Sequence, residues 1–386
     1  MLSLSPDQSN TLKKLNLWYK DPNRPQFITI GGYAGTGKTT LIACWRKRLL
    51  EKEPKLKVAF CCYTGKATLV LKASLIEHGS LCKRDSVSTI HGLIYSPIEE
   101  NQIIVGWEKK DDIEADLIVV DEASMLDQSI WLDLLSYRRP VVAVGDHGQL
   151  PPISGQFSLM SSPNLRLEKV HRQAESNPII RVSLLAREQG LVPTGRFGGH
   201  VLKINRSSDD YASLIDDLLS SYNSETLILC GYNHTRIALN NAIRQKLGFD
   251  TSLPQVNDRV ICLRNNHKKQ IFNGQLGTIQ SIKNKDSDWY DSRILLDEGV
   301  AFEGAISRHQ FNQPRGLNFT DRRGQTLRGD IFDFGYALTV HKAQGSQAKK
   351  VILFEERFAK MDEPSWRRWL YTGVTRAREE LVLIGP

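Results

Sequence analysis

The run Gly32-Tyr33-Ala34-Gly35-Thr36-Gly37-Lys38-Thr39 has the spacing GxxxxGK[ST], followed by a second threonine, Thr40. Glycines at Gly32, Gly35 and Gly37 let successive backbone N–H groups turn toward a polyphosphate, and Lys38 adds a point charge at the β and γ oxygens. The Thr39 hydroxyl is a ligand type suited to Mg²⁺. A second constellation is Leu117-Ile118-Val119-Val120-Asp121-Glu122, an apolar run ending in two carboxylates. Asp121 is suited to the Mg²⁺ shell and Glu122 to deprotonating a water for in-line attack on a γ-phosphate. An acidic pair after a strand is also common surface charge, but its place downstream of a phosphate loop favours the hydrolytic reading.

These groups need strands that end where the chemistry occurs. Short β-branched runs alternate with helical patterns at Phe27–Ile30, Val58–Cys62, Leu117–Val120 and Val141–Val144, then at Thr226–Cys230, Val351–Phe354 and Leu381–Ile384. Apolar runs of this kind suit strands buried on both faces of a parallel sheet. The first four predict one α/β unit around the phosphate loop, the last three a second. Between Pro254 and about Gly329 the texture becomes polar alternation with turn signals, among them Asn273-Gly274, which predicts a small β insertion.

With 386 residues, 40% of them hydrophobic, two or three domains are expected. An excess of 51 Lys+Arg over 43 Asp+Glu suits a polyanionic partner, although a solvated basic surface has the same composition. The six cysteines show no metal-binding spacing, and several lie in apolar runs, so they read as reduced thiols of a cytoplasmic protein. No apolar stretch approaches the ~18 residues of a membrane span, and no membrane partner is expected.

The ordered set GYAGTGKTT, YTGKAT, STIHGL, VVDEAS, VGDHGQLPP, LEKVHRQ, YALTVHKAQGSQ and LYTGVTRAR resembles superfamily 1B DNA helicases of the RecD and phage Dda type. The resemblance implies an α/β chain of two RecA-like P-loop domains, with a β-hairpin pin in the first and an SH3-like β insertion in the second. The expected boundaries are 1–170 for the first domain, with the pin at about 93–110, then 171–253 with 331–386 for the second and 254–330 for the insertion. It further implies ATP and Mg²⁺ as ligands, held between the domains. Gln8 would contact adenine, Gln149 would sense the γ-phosphate, and Arg172 and Arg376 would reach that phosphate from the second domain. Thr40 and Gly345 complete the expected nucleotide set. The usual glutamate beside Gly345 is here Ser346-Gln347, so the ribose contact assigned to that acid has no counterpart.

Single-stranded DNA is the implied track. Thr64, Lys66, Thr89 and His91 in the first domain, and Asn233, Thr339 and His341 in the second, fall at loop ends or just after strands, where polar groups grip phosphates. Arg236 and Asn240 belong to the same element as Asn233. Each of these residue types also serves as a helix cap or a satisfied loop residue. Ile103, Val105 and Trp107 alternate as a strand should, leaving Trp107 either a wedge at the first base pair or a packed ring.

The expectation is therefore an ATP-driven translocase that unwinds duplex DNA 5′ to 3′ at single-strand to double-strand junctions. It would act as a monomer in a bacterial cell or phage-infected host, alongside single-strand-binding or replication proteins. The alternatives are a DNA-dependent ATPase that remodels protein–DNA complexes or drives a recombination or nuclease complex, and, in another class, a non-hydrolysing nucleotide-gated scaffold. The last needs a degenerate site, and no expected catalytic residue is missing.

Overall fold

The structure, a computed structural model, describes the chain apart from residues 1–3, 101–102, 152–156, 170–176, 267–268, 270, 298 and 318–327. It divides into two compact units, Met1–Ile98 with Gly106–Arg181, and Val182–Pro386 with Glu99–Val105.

The first unit is built on a six-stranded sheet of order β3-β2-β6-β7-β1-β8. Its strands are β1 (Phe27–Gly32), β2 (Val58–Cys62), β3 (Ser86–Thr89), β6 (Leu117–Asp121), β7 (Val141–Gly145) and β8 (Leu165–Leu167), all paired in parallel. Side chains alternate across a strand, which explains the continuous apolar runs. Val58, Phe60 and Cys62 of β2 enter one core with Leu12, Leu41 and Leu71, while Ala59 and Cys61 enter another with Ile90, Ile130 and Trp131. The first core thus takes α1 (Pro6–Lys20), α2 (Lys38–Lys52) and α3 (Gly65–Glu77), the second α4 (Ile90–Ile94) and α5 (Gln128–Leu135).

A buried ion pair fastens α2 to the sheet. Arg46 Nε and Nη2 each donate to Asp85 at 3.0 Å, and Asp85 also accepts from the backbone N–H of Cys82 (3.0 Å) and Val58 (3.2 Å). Breaking a pair so buried leaves an uncompensated guanidinium, so Asp85→Ala is expected to lose about 3–5 kcal/mol. Chemical denaturation followed by α-helix signal checks this; an unchanged midpoint contradicts it.

Between α4 and β6, β4 (Tyr95–Glu100) and β5 (Ile103–Lys109) form a separate two-stranded sheet. Only two residues separate them, a connection that antiparallel strands alone can make. Its base is tied down where Tyr137 Oη donates to Ile94 O (2.9 Å) and Lys110 O (2.8 Å), and where Tyr95 Oη donates to the Asp133 carboxylate.

The second unit contains another six-stranded sheet, β17-β11-β18-β19-β10-β9. These strands are β9 (Gly195–Phe197), β10 (Val201–Asn205), β11 (Thr226–Cys230), β17 (Ala337–Thr339), β18 (Ala348–Phe354) and β19 (Ala377–Gly385). All pairs are parallel except β9 with β10. The helices described here are α6 (Pro178–Gln189), α7 (Tyr211–Ser220), α8 (Asn233–Lys246) and α9 (Glu363–Val374). A five-stranded antiparallel sheet of order β15-β14-β13-β12-β16 joins β12 (Arg259–Cys262), β13 (Leu276–Asn284), β14 (Trp289–Leu296), β15 (Ala301–Ser307) and β16 (Phe332–Phe334).

Two expected boundaries shift. The division into compact units falls after Arg181, not after residue 170. The antiparallel sheet ends at Phe334 rather than near residue 330, because β16 pairs with β12. The insertion also shares one apolar core with the second parallel sheet, in which Val260, Ile279 and Phe334 join Ile228, Ile243 and Ile352. Among the described residues, no helix is long and apolar enough to cross a membrane. All six cysteines are free thiols.

Candidate nucleotide and strand sites

In a parallel sheet the loops that follow the strands gather at one edge, where α/β ligands bind. The register pairs Gly31 with Gly145 and Cys62 with both Asp121 and Thr89, so the exits of neighbouring strands lie side by side. Following the sheet order, that edge carries Thr89, then Thr64, then Asp121 and Glu122, then Asp146 to Gln149, then the phosphate loop, then the exit of β8. Residues expected on the strand thus lie toward one end, and the hydrolytic residues beside them.

The loop owes its shape to its glycines. Gly35 and Gly37 have φ of +79° and +74°, where an L side chain is strained, and a Cβ on Gly32 would sit 2.7 Å from Thr36 Oγ1. Lys38 and Thr39 open α2, whose first-turn N–H groups favour an anion. Lys38 Nζ donates to Gly32 O (2.8 Å) and Tyr33 O (3.1 Å) and lies 4.0 Å from a carboxylate oxygen of Asp146. Asp146 is buried and accepts from the Gly148 N–H at 2.9 Å. Its place beside Lys38 was not read from the sequence, since it depends on β7 lying next to β1.

Asp121 ends β6 and its carboxyl is pushed up to about 6, first by burial and then by Glu122, with Lys38 pulling the other way. Its Oδ1 accepts from the Glu122 N–H at 2.9 Å. Glu122 has φ of +53°, a left-handed conformation that costs a non-glycine residue about 1–2 kcal/mol. Gln149 is buried, and its Oε1 has no hydrogen-bond partner among the described residues.

Gln8, expected at adenine, is buried beside the phosphate loop. Its Nε2 donates to Thr36 O (3.1 Å) and Gly37 O (3.3 Å), so the side chain braces the phosphate loop. Arg172 lies outside the described residues. The described residues before it, through Lys169, and after it, from Asn177 to Arg181, fall in the first unit's range, whereas the expectation placed this arginine in the second.

The expected strand contacts include several caps. Thr64 Oγ1 accepts from the Ala67 N–H (3.2 Å) at the start of α3, and Thr89 Oγ1 from the Gly92 N–H (3.1 Å) at the start of α4. The side chain of Lys66 is outside the described part. His91 lies against Tyr63 and Tyr95, with ring centroids 6.2 and 5.5 Å away, and burial lowers its pKa, with Asp127 pulling the other way. Trp107, on β5, is 36% exposed.

In the second unit Cys230 is in register with Thr339, which sets Thr339 beside the turn leading to Asn233. Burial lowers the pKa of His341. Arg236 and Asn240 are structural. Arg236 Nη1 meets Asp333 at 2.9 Å and Nη2 donates to Gln313 O at 2.7 Å, while Asn240 Oδ1 accepts from the Ala337 N–H at 2.8 Å. They fasten α8 to the segment around β16, and burial of both leaves no face for a nucleic acid. Gly345, with φ of +74°, precedes β18, and Arg376 precedes β19. The Arg376 guanidinium is buried and donates to Thr372 O (3.0 Å), Ser346 O (3.3 Å) and Thr375 Oγ1 (3.1 Å).

Residues 20–155 match the family described as AAA domain, and residues 334–384 match the UvrD-like helicase C-terminal domain. Over 382 residues the chain is 27% identical to the ATP-dependent RecD2 DNA helicase of Deinococcus radiodurans, covering 93% of this chain and 47% of that protein. It is 25% identical over 430 residues to the ATP-dependent DNA helicase dda of Enterobacteria phage T4, covering 92% of this chain and 94% of that one. The crystal structure of Bacteroides Pif1 bound to ssDNA has the same fold, with a TM-score of 0.55 at 18% identity over 99% of this chain and 92% of that chain. These matches make the chain similar to the superfamily 1B helicases of the RecD and Dda type. It spans about half the length of the Deinococcus relative.

Proposed function

We propose that the chain is an ATP-hydrolysing motor that moves along single-stranded DNA and unwinds duplex 5′ to 3′. The observation that carries this is the single edge of the first sheet, on which Thr89 and Thr64 lead into Asp121, Glu122, Gln149 and the phosphate loop. Each parallel sheet is read as a RecA-like domain, the β4–β5 hairpin as a pin, and the antiparallel sheet as an SH3-like module.

The loop around Gly32, Gly35, Thr36, Gly37, Lys38 and Thr40 holds the triphosphate. The Thr39 hydroxyl and the Asp121 carboxylate fit Mg²⁺, which prefers one or two protein oxygens and takes the rest of its shell from phosphates and water. When bound, the ion offsets charge on the phosphoryl oxygens. Glu122 takes the proton of the attacking water, and the unengaged Gln149 oxygen accepts from that water beside the γ-phosphate. Arg172 and Arg376 neutralise the charge that develops there. The Asn233, Thr339 and His341 group gives the second unit its own grip on the strand.

Relatives named as the RecBCD enzyme subunit RecD, including one from Buchnera aphidicola that is 24% identical, favour a second reading, a motor within a larger complex. Strand displacement on naked forked DNA separates the two, since the first reading needs no partner.

The experiment is ATPase activity with and without oligonucleotide. Turnover rises on adding single-stranded DNA, and binding weakens with salt at a log–log slope of about −0.7 per phosphate contacted, with little dependence on base sequence. Activity indifferent to DNA, or binding indifferent to salt, contradicts the proposal.

A further inference from the structure

The start of α8 is closed to an anion. The Glu356 carboxylate, just past the end of β18, already fills the place where the first N–H groups of a helix would favour one. Its Oε2 accepts from the backbone N–H of Gly231 at 2.8 Å and of Tyr232 at 3.0 Å, and its Oε1 accepts from Thr235 Oγ1 at 2.6 Å. The turn is pressed against this residue, since a Cβ on Gly231 would sit 2.8 Å from Glu356 O. A phosphate brought here would meet a carboxylate.

The same turn presents aromatic surface instead. Tyr232 and His234 flank Asn233, and their rings stack with centroids 5.0 Å apart and planes inclined by 24°. The Tyr232 ring is held in place, because Phe358 meets it edge-on at 4.7 Å and its hydroxyl donates to Arg357 O at 3.3 Å. Tyr232 and Phe358 are half-buried while His234 is exposed, so the imidazole is the outer ring of the stack. An aromatic stack that ends in solvent offers a flat face to another ring. Every nucleobase has such a face, and stacking on it tolerates sequence. Cys230, in register with Thr339, leads directly into this turn, so the rings sit on the edge that carries the second unit's strand residues.

We propose that Tyr232 and His234 form a nucleobase platform, on which a base of the single strand continues the ring stack while Glu356 keeps phosphate away from the start of α8. The inference rests on the reading of that edge as part of a single-strand track.

The test measures binding of the full chain, across a salt series, to a single-stranded DNA oligonucleotide and to the same sugar–phosphate backbone with every base removed. His234→Ala is expected to weaken binding to the normal strand by about 5-fold to 150-fold, the range for losing one base–aromatic stack. His234→Phe keeps a ring and should stay within about threefold of the native protein. On the baseless backbone His234→Ala and the native protein should bind alike, an outcome that general damage to the turn does not give. The salt slope on the normal strand should not change, since a stacked base releases no counterion. Unchanged affinity in His234→Ala, equal losses on the two oligonucleotides, no rescue by His234→Phe, or a slope shallower by about 0.7 overturns the platform and leaves the strand reading standing. A native protein that does not bind the normal strand overturns that reading and the proposal with it.

Discussion

Glu122→Gln binds ATP as the native protein does and loses hydrolysis by about 10²–10⁴-fold, the range supplied by a positioned general base. The substitution keeps shape, and it leaves the backbone N–H that donates to Asp121 Oδ1 untouched, so the carboxylate assigned to Mg²⁺ keeps its orientation. Amide for acid removes only the capacity to take a proton. Nucleotide binding measured by fluorescence, alongside steady-state turnover with saturating single-stranded DNA, separates the two effects. Near-normal turnover removes Glu122 from the role of base, and loss of ATP binding reassigns it to holding nucleotide or metal.

Arg376→Ala should lower strand-stimulated kcat by about 10³–10⁵-fold, the measure of an arginine that stabilises phosphoryl-transfer charge. Within the second unit this guanidinium also satisfies Thr372 O, Ser346 O and Thr375 Oγ1, so its removal strands buried acceptors at a cost of about 1–3 kcal/mol for each one left unmet. A control must separate the two consequences. Arg376→Lys retains a cation and a donor but not the forked geometry; it should restore much of the thermal stability while turnover stays low. If turnover follows stability in both variants, Arg376 is a structural clamp, as Arg236 is through Asp333.

The parts of the fold legible in the sequence are those where one force acts alone. β1, β2, β6, β7, β11, β18 and β19 are visible because strands covered on both faces must be continuously apolar. β3 is not, because Ser86-Val87-Ser88-Thr89 carries no such run and owes its place to pairing with β2. β10 hides a lysine, Lys203, buried at 2.5 Å from Glu355. Burial lowers the lysine's pKa and raises the glutamate's against their mutual attraction, and no local pattern announces a charge whose partner lies 152 residues away. β16 is too short for its alternation to register.

The candidate site divides in the same way. The phosphate loop, Asp121 and Glu122 are local motifs, and they were legible. Asp146 beside Lys38 and Gln8 under the loop both depend on which elements are neighbours, which only the fold reveals. Arg236 and Asn240 were misread toward nucleic acid because polar residues early in a helix look exposed. Here Asp333 and Gln313 engage Arg236, and the Ala337 N–H of β17 engages Asn240.

The most direct measurement is ATP-dependent strand separation of a duplex carrying a single-stranded tail on either the 5′ or the 3′ side, with no other protein present. The account predicts efficient unwinding from the 5′ tail and little from the 3′ tail, with ATP consumed on both single strands. Preferential use of the 3′ tail contradicts the polarity, and DNA-stimulated ATPase without separation of either substrate contradicts the helicase reading itself.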